Sequence, residues 1–215
     1  MKLVLFDCDG TLVDSANVIH TCMERTFEDF GFEQPTLAHT KSIIGLTLDI
    51  AIAQMLNRAV DEEIAAMTAR YKEHFLLHRH NGGALEPTYD GIAALIAELS
   101  ARDDVILGVV TGKSRRGLNA ILEHHQMTSS FFATRTADDC PSKPHPAMVL
   151  ECCTEAGIDA DRTVVIGDAI YDMQMAVSAG ARGIGVSWGY APVDALVTAG
   201  ADHIVHHADD IADLV

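Results

Sequence analysis

Positive charge is what this chain has least of. Its 215 residues carry 15 Lys and Arg against 31 Asp and Glu, a formal net charge of −16. So acidic a surface repels nucleic acid and anionic lipid, and no basic stripe relieves it. It would also repel a phosphorylated substrate, so any phosphate site needs local positive charge from a metal or a placed lysine. Long apolar runs are missing as well. None approaches the roughly 18 residues of a membrane span, and the N-terminal run is cut at Asp7, too short for a signal peptide. The five cysteines are odd in number and show no zinc-knuckle or CxxC spacing, although Cys152 and Cys153 are adjacent. Reduced thiols in a soluble, cytoplasmic protein are expected. There is no internal repeat and no low-complexity segment, and the length suits one domain or a domain with a small insert.

What the chain does have begins at its start. Residues 3–6, Leu-Val-Leu-Phe, form a short apolar run with the pattern of a strand buried on both faces. It ends in Asp7-Cys8-Asp9-Gly10-Thr11. Where the backbone turns at a strand end, Asp7 and Asp9 can converge, and Gly10 lets backbone N–H groups face an anion. Two crowded acids beside open amides suit a divalent cation and a phosphate. A strand followed by an Asx-type turn would use the same residues.

After Ser15 the spacing becomes helical. Ile19, Cys22, Met23, Thr26, Phe27 and Phe30 share one face up to Gly31. Further stripes run through Leu48, Ala51, Ile52, Met55 and Leu56, and through Ile64, Met67, Tyr71, Phe75 and His78. The turn-rich Asn81-Gly82-Gly83 then breaks the pattern. Residues 16–81 therefore read as a helical insert, between a short 1–15 segment and a larger 82–215 one. From Tyr89 onward, helical stripes alternate with apolar strands at 105–110, 131–133, 163–166, 183–186 and 203–205. That alternation predicts an α/β fold, a doubly wound parallel sheet with right-handed crossovers.

In such a sheet ligands bind beyond the carboxyl ends of the strands, so the polar residues there are the informative ones. The strand at 105–110 is followed by Thr111-Gly112-Lys113-Ser114, a candidate phosphate cradle or an ordinary turn with Ser114 as N-cap. Lys143 lies in Ser142-Lys143-Pro144-His145-Pro146, where prolines stiffen the backbone around one ammonium; a solvated loop lysine is the plain alternative. The strand at 163–166 leads into Gly167-Asp168 and then Asp172, hard oxygen ligands suited to Mg²⁺ or acids favoured at a helix start.

In this order the four segments resemble the motifs of the haloacid dehalogenase-like hydrolase superfamily, in its magnesium-dependent phosphatase branch. The insert after the first motif resembles the small α-helical cap of one subclass. Lys143-Pro144-His145-Pro146 and Val186-Ser187-Trp188-Gly189-Tyr190 resemble its phosphoglycolate phosphatase-type members. Tyr89-Asp90-Gly91 departs from the pattern, since many relatives have proline where Asp90 stands; that change concerns a helix start.

The resemblance implies a Mg²⁺-dependent phosphatase acting on a small phosphomonoester, 2-phosphoglycolate being the first candidate. Asp7 would be the nucleophile, Asp9 the acid and base, and Thr111 and Lys143 would complete the catalytic set. Mg²⁺ would be held by Asp7, the backbone carbonyl of Asp9, and Asp168, with Asp172 acting through water or by orienting the others. The substrate-contacting set is Cys8, Gly10, Gly112, Lys113 and, from the cap turn, Gly45 and Thr47. Ile44 and Leu48 beside that turn favour a small leaving group over a phosphosugar. Lys41, Arg25 and Arg58 are the candidates for a substrate carboxylate.

Pyrophosphatase, nucleotide phosphatase and phosphosugar mutase remain alternatives on the same scaffold, as does a catalytically idle ligand sensor. Dehalogenases lack an acid equivalent to Asp9. A thiol phosphatase built on Cys8 would need an arginine where Asp14 stands, so Cys8 reads as a spacer against the sheet. His74 and His78, four apart on a helix, read as a solvated or half-buried face in place of a metal clamp. Neither nucleic acid nor membrane is expected as a partner, and the protein should be a monomer or homodimer.

Overall fold

The apolar run after Lys2 forms β1 (Lys2–Phe6), which lies inside a parallel six-stranded sheet. The computed structural model describes residues 1–80 and 86–215. The expected break at Asn81-Gly82-Gly83, and with it the boundary at 81/82, lies outside the described residues. The other strands are β2 (Val105–Val110), β3 (Ala133–Arg135), β4 (Thr163–Gly167), β5 (Arg182–Val186) and β6 (His203–Val205). Their spatial order is β3-β2-β1-β4-β5-β6. The chain winds outward from β1 in one direction, then crosses back and winds outward from β4 in the other. Between β1 and β4 the winding reverses, which opens a crevice at their carboxyl ends.

Strand alternation sends β1 side chains to both faces of the sheet. Leu3 and Leu5 pack with Met148, Cys152 and Val165, while Val4 and Phe6 pack with Ile96, Leu107 and Ile166. Each such fully buried side chain contributes about 1.5–3 kcal/mol. The covering helices are α5 (Ile92–Ser100), α6 (Arg115–His124), α7 (Ala147–Ala156), α8 (Ile170–Ala179) and α9 (Val193–Thr198).

Between β1 and α5 the chain builds α1 (Ala16–Asp29), α2 (Leu37–Lys41), α3 (Leu48–Met55) and α4 (Glu62–His80). These helices bury a core of their own, including Met23, Phe27, Ile52, Ile64 and Met67. That core continues onto Ala169 and Tyr171 at the start of α8. Asp29 of α1 joins Arg70 and His74 of α4, at 2.5 and 2.8 Å. His74 is thus buried and paired, not solvated.

Some elements differ from expectation. The β3 strand begins at Ala133, not at Phe131, and Phe132 points largely into solvent. The helices α2 and α9 carry no stripe in the sequence because they are five and six residues long. No helix among the described residues is long and apolar enough to cross a membrane.

Candidate active site

The polar residues that follow the strands meet at the crevice. Asp7 comes one position after β1, and its N–H donates to the carbonyl of Ile166 at 2.8 Å, so β4 still holds its backbone. Thr111 stands likewise after β2, its N–H donating to Arg135 O at 3.0 Å. Asp168 directly follows β4, and Asp172 lies in the first turn of α8. Carboxylate oxygens of Asp7, Asp168 and Asp172 lie within 4.8 Å of one another, and all three residues are buried.

One cation faces this group. Lys143 Nζ lies 2.8 Å from Asp7 Oδ1 and 2.5 Å from Asp172 Oδ1, and its side chain is fully buried. The other Asp172 oxygen accepts the Ala169 N–H at 3.0 Å. Asp168 accepts from the Thr11 hydroxyl at 3.1 Å and from the Tyr190 N–H at 2.8 Å. Asp7 Oδ2 is buried with no hydrogen-bond partner among the described residues. Burial pushes the Asp7 carboxyl up to about 7; Lys143 opposes the shift, and Asp172 and Asp9 add to it. Burial likewise pushes Asp168 well above the usual carboxylate range, with Asp7 and Asp172 adding repulsion. Burial pulls Lys143 down, but the carboxylates of Asp172 and Asp7 outweigh it and hold the ammonium above its ordinary value.

Three buried carboxylates against one ammonium leave the group two positive charges short. An orphaned carboxylate oxygen in an all-oxygen donor set fits a hard divalent cation such as Mg²⁺.

Asp9 behaves differently. Its carboxylate is not part of that group; Oδ1 lies 2.7 Å from Lys113 Nζ. Lys113 is buried, and burial pulls its ammonium down, but Asp9, Cys8 and Glu86 together hold it above its ordinary value. Lys113 Nζ also lies 3.7 Å from Glu86, which in turn pairs with Arg79 at 3.3 Å. Neither Glu86 nor Arg79 belongs to a sequence motif. Nothing local marks them, because they meet Lys113 only through tertiary packing.

The remaining candidates fall into two sets. Gly10, at φ +90°, brings its loop so close to Asp168 that a Cβ there would run into the carboxylate. Cys8 is buried in the core beneath it, and burial raises its thiol well above the ordinary value. Thr111 accepts the Lys113 N–H at 3.2 Å. A Cβ on Gly112 would clash with the carbonyls of Gly45 and Leu46, so the turn from the helical insert rests directly on the strand end. Gly45 also abuts Ala169, and the Thr47 N–H donates to Ser142 Oγ at 2.9 Å.

The three proposed carboxylate readers have different surroundings. Lys41 lies over the Tyr190 ring at 5.4 Å, Arg58 pairs with Glu63 at 2.7 Å, and Arg25 is exposed. The Tyr190 hydroxyl, missed by the sequence reading, accepts the N–H groups of Ser15 and Ala16 at 2.9 and 3.0 Å. A separate cavity of about 510 Å³, lined by Tyr89, Trp188 and His206 among others, includes none of the metal-group acids.

The model of the family described as haloacid dehalogenase-like hydrolase matches residues 4–186. A protein named probable phosphatase IndB, from Dickeya dadantii, is 33% identical over 94% of this chain and 88% of its own length. A phosphoglycolate phosphatase from Aliivibrio fischeri is 27% identical, covering 88% of this chain and 86% of that protein. Among solved structures, a predicted phosphatase from Clostridium acetobutylicum superposes with a TM-score of 0.86 at 28% identity, over 99% of this chain and 97% of that one.

Proposed function

The chain belongs to the haloacid dehalogenase-like hydrolases, and from that premise we propose that it is a Mg²⁺-dependent phosphatase. Its substrate would be a small phosphomonoester, with 2-phosphoglycolate the first candidate. The observation that carries this reading is the charge deficit of Asp7, Asp168 and Asp172 around Lys143. Mg²⁺ would be held by Asp7, Asp168 and the Asp9 backbone carbonyl, with Asp172 orienting the set. When bound, it supplies the positive charge that lets one anion approach another.

The chain's own residues do the rest. An Asp7 carboxylate oxygen attacks phosphorus, the bond to the leaving oxygen breaks, and an aspartyl-phosphate forms. Asp9 gives its proton to the departing alkoxide. In the second half Asp9 takes a proton from water, whose oxygen attacks the same phosphorus, and phosphate leaves with Asp7 regenerated. The Lys143 ammonium, 2.8 Å from Asp7, steadies the nucleophile and a phosphate oxygen. The Thr111 hydroxyl and Gly112 N–H are donors for the other oxygens.

Residues 16–81 form the cap in this reading. Their turn at Gly45 lays its backbone on Gly112, with Ile43, Ile44 and Leu46 buried in the insert's core, and a turn without a charged side chain at Ile44 or Leu48 favours a short leaving group. The names of relatives such as the Aliivibrio fischeri enzyme support phosphoglycolate among short esters.

The test is phosphate release across a panel of small esters, with and without Mg²⁺. Turnover of 2-phosphoglycolate above sugar phosphates, abolished by chelation, is expected. Absence of turnover on every ester with Mg²⁺ bound would replace the enzyme by a sensor.

A further inference from the structure

Beside the charge-deficient group lies a second cluster of four buried or half-buried ionic side chains, and its charges balance. Asp9, Lys113, Glu86 and Arg79 alternate in sign, at 2.7, 3.7 and 3.3 Å along the series. Lys113 and Glu86 expose 8% and 3% of their side chains, so none of the three pairs is a surface ion pair of small worth.

The surroundings are shaped for this arrangement. Gly117 sits in the first turn of α6, its N–H held by the Ser114 side chain at 3.2 Å. A Cβ there would come within 2.9 Å of Lys113 Cγ, so the missing side chain makes room for the lysine stem. The ammonium lies 5.6 Å above the Phe75 ring of α4, and Arg79 lies 5.0 Å from the same ring. Glu86 is fixed from both sides. Its carbonyl is 2.8 Å from His125 Nε2, and the next residue, Pro87, accepts the Asp14 N–H at 2.9 Å.

We infer that Lys113 and Glu86 are positioning residues for Asp9, aiming the acid at the leaving group instead of binding phosphate themselves. Lys113 engages Oδ1 of Asp9, which leaves Oδ2 as the oxygen for the substrate. Glu86 keeps Lys113 in register while it also pairs with Arg79 of α4, so the end of that helix and the acid's aim share one buried carboxylate. The inference rests on the phosphatase reading above.

Leaving-group dependence tests it. A p-nitrophenolate departs without needing a proton, whereas an alkoxide does need one. The wild type, Lys113→Met and Glu86→Gln are assayed on p-nitrophenyl phosphate and on glycerol 2-phosphate with Mg²⁺, with folding followed by circular dichroism. Lys113→Met should lose about 100-fold in kcat/KM, which reports the steps through leaving-group departure and not the later attack of water, on the alkyl ester and less than about threefold on the aryl ester. Glu86→Gln should show the same selective loss at roughly tenfold.

Equal losses on both esters, or none, would overturn the inference and leave the phosphatase reading standing. So would a wild type that cleaves only the aryl ester, or failure of both variants to fold, which would assign the cluster to stability alone. A wild type that releases phosphate from neither ester would overturn both readings.

Discussion

Two ionic clusters sit side by side under the same turn, and they are built on opposite terms. Around Lys143, three buried carboxylates face one ammonium. Around Lys113, two carboxylates meet two cations. A buried cluster short of positive charge needs something to supply it, whereas one with equal charges of both signs does not, even where Asp9 Oδ1, Glu86 Oε1 and Arg79 Nε lack well-aligned hydrogen bonds. The contrast separates a place that receives ligands from a place that fixes geometry. It also shows why a lysine near a strand end is an ambiguous signal: Lys113 in a strand-end turn and Lys143 in a proline-stiffened loop both suggested a phosphate partner, and they keep different company in space.

The comparison can be broken most severely at its nucleophile. Asp7→Asn should lower kcat by at least about 10⁴-fold on every ester, aryl or alkyl, in steady-state phosphate release. Retained activity would remove Asp7 from the chemistry. Next comes the lone ammonium. Lys143→Met leaves three carboxylates buried without a counter-charge and should cost about 3–5 kcal/mol in urea unfolding without metal. Added Mg²⁺ should return part of that stability, and a variant as stable as the wild type would contradict the charge deficit.

Metal binding sharpens the contrast further. At 100 times its dissociation constant Mg²⁺ should stabilise the wild type by about 2.7 kcal/mol. Asp168→Asn should lose most of this gain in thermal unfolding, while Glu86→Gln keeps it, because Glu86 belongs to the balanced cluster. Equal losses in the two variants would merge the clusters into one.

The smallest effect lies outside both. Hydrogen bonds from Arg70, then from His74, hold the Asp29 carboxyl below its usual value. A lowered folded-state pKa gives stability that is full above the unfolded carboxylate pKa and is lost as pH falls through the folded one. The advantage of the wild type over Asp29→Asn should therefore be complete at neutral pH and shrink on acidification. An advantage that grew toward acid pH would refute the assignment.

The sheet was legible because β1, β2, β4 and β5 are apolar runs cut off by polar residues, and the winding order follows from alternation with helices. The convergence of Asp7, Asp168 and Lys143 could be foreseen for the same reason: each stands just past a strand or in a proline-stiffened loop. Where strands are short and at an edge, composition misleads. Phe131 and Phe132 drew the expected strand two residues early, while the paired residues Thr134 and Arg135 are polar.

The Asp9 partners were less accessible. Lys113 was visible as a cation at a helix start, but its setting beside Asp9 is completed by Glu86 and Phe75, which reach it from other parts of the chain. No local spacing encodes that meeting. Arg25, Lys41 and Arg58 drew notice as cations of the insert, yet Arg79 is the one that joins the cluster, because only the far end of α4 comes down to Glu86.

The bare backbone at Gly112 has one more consequence. With the carbonyls of Gly45 and Leu46 resting where a side chain would begin, the seam between the two halves is gauged by a single missing methyl group. Alanine at 112 would act as a doorstop, propping the turn ajar and letting bulk solvent in at the strand end. The closeness of that seam thus hangs on an atom that is not there.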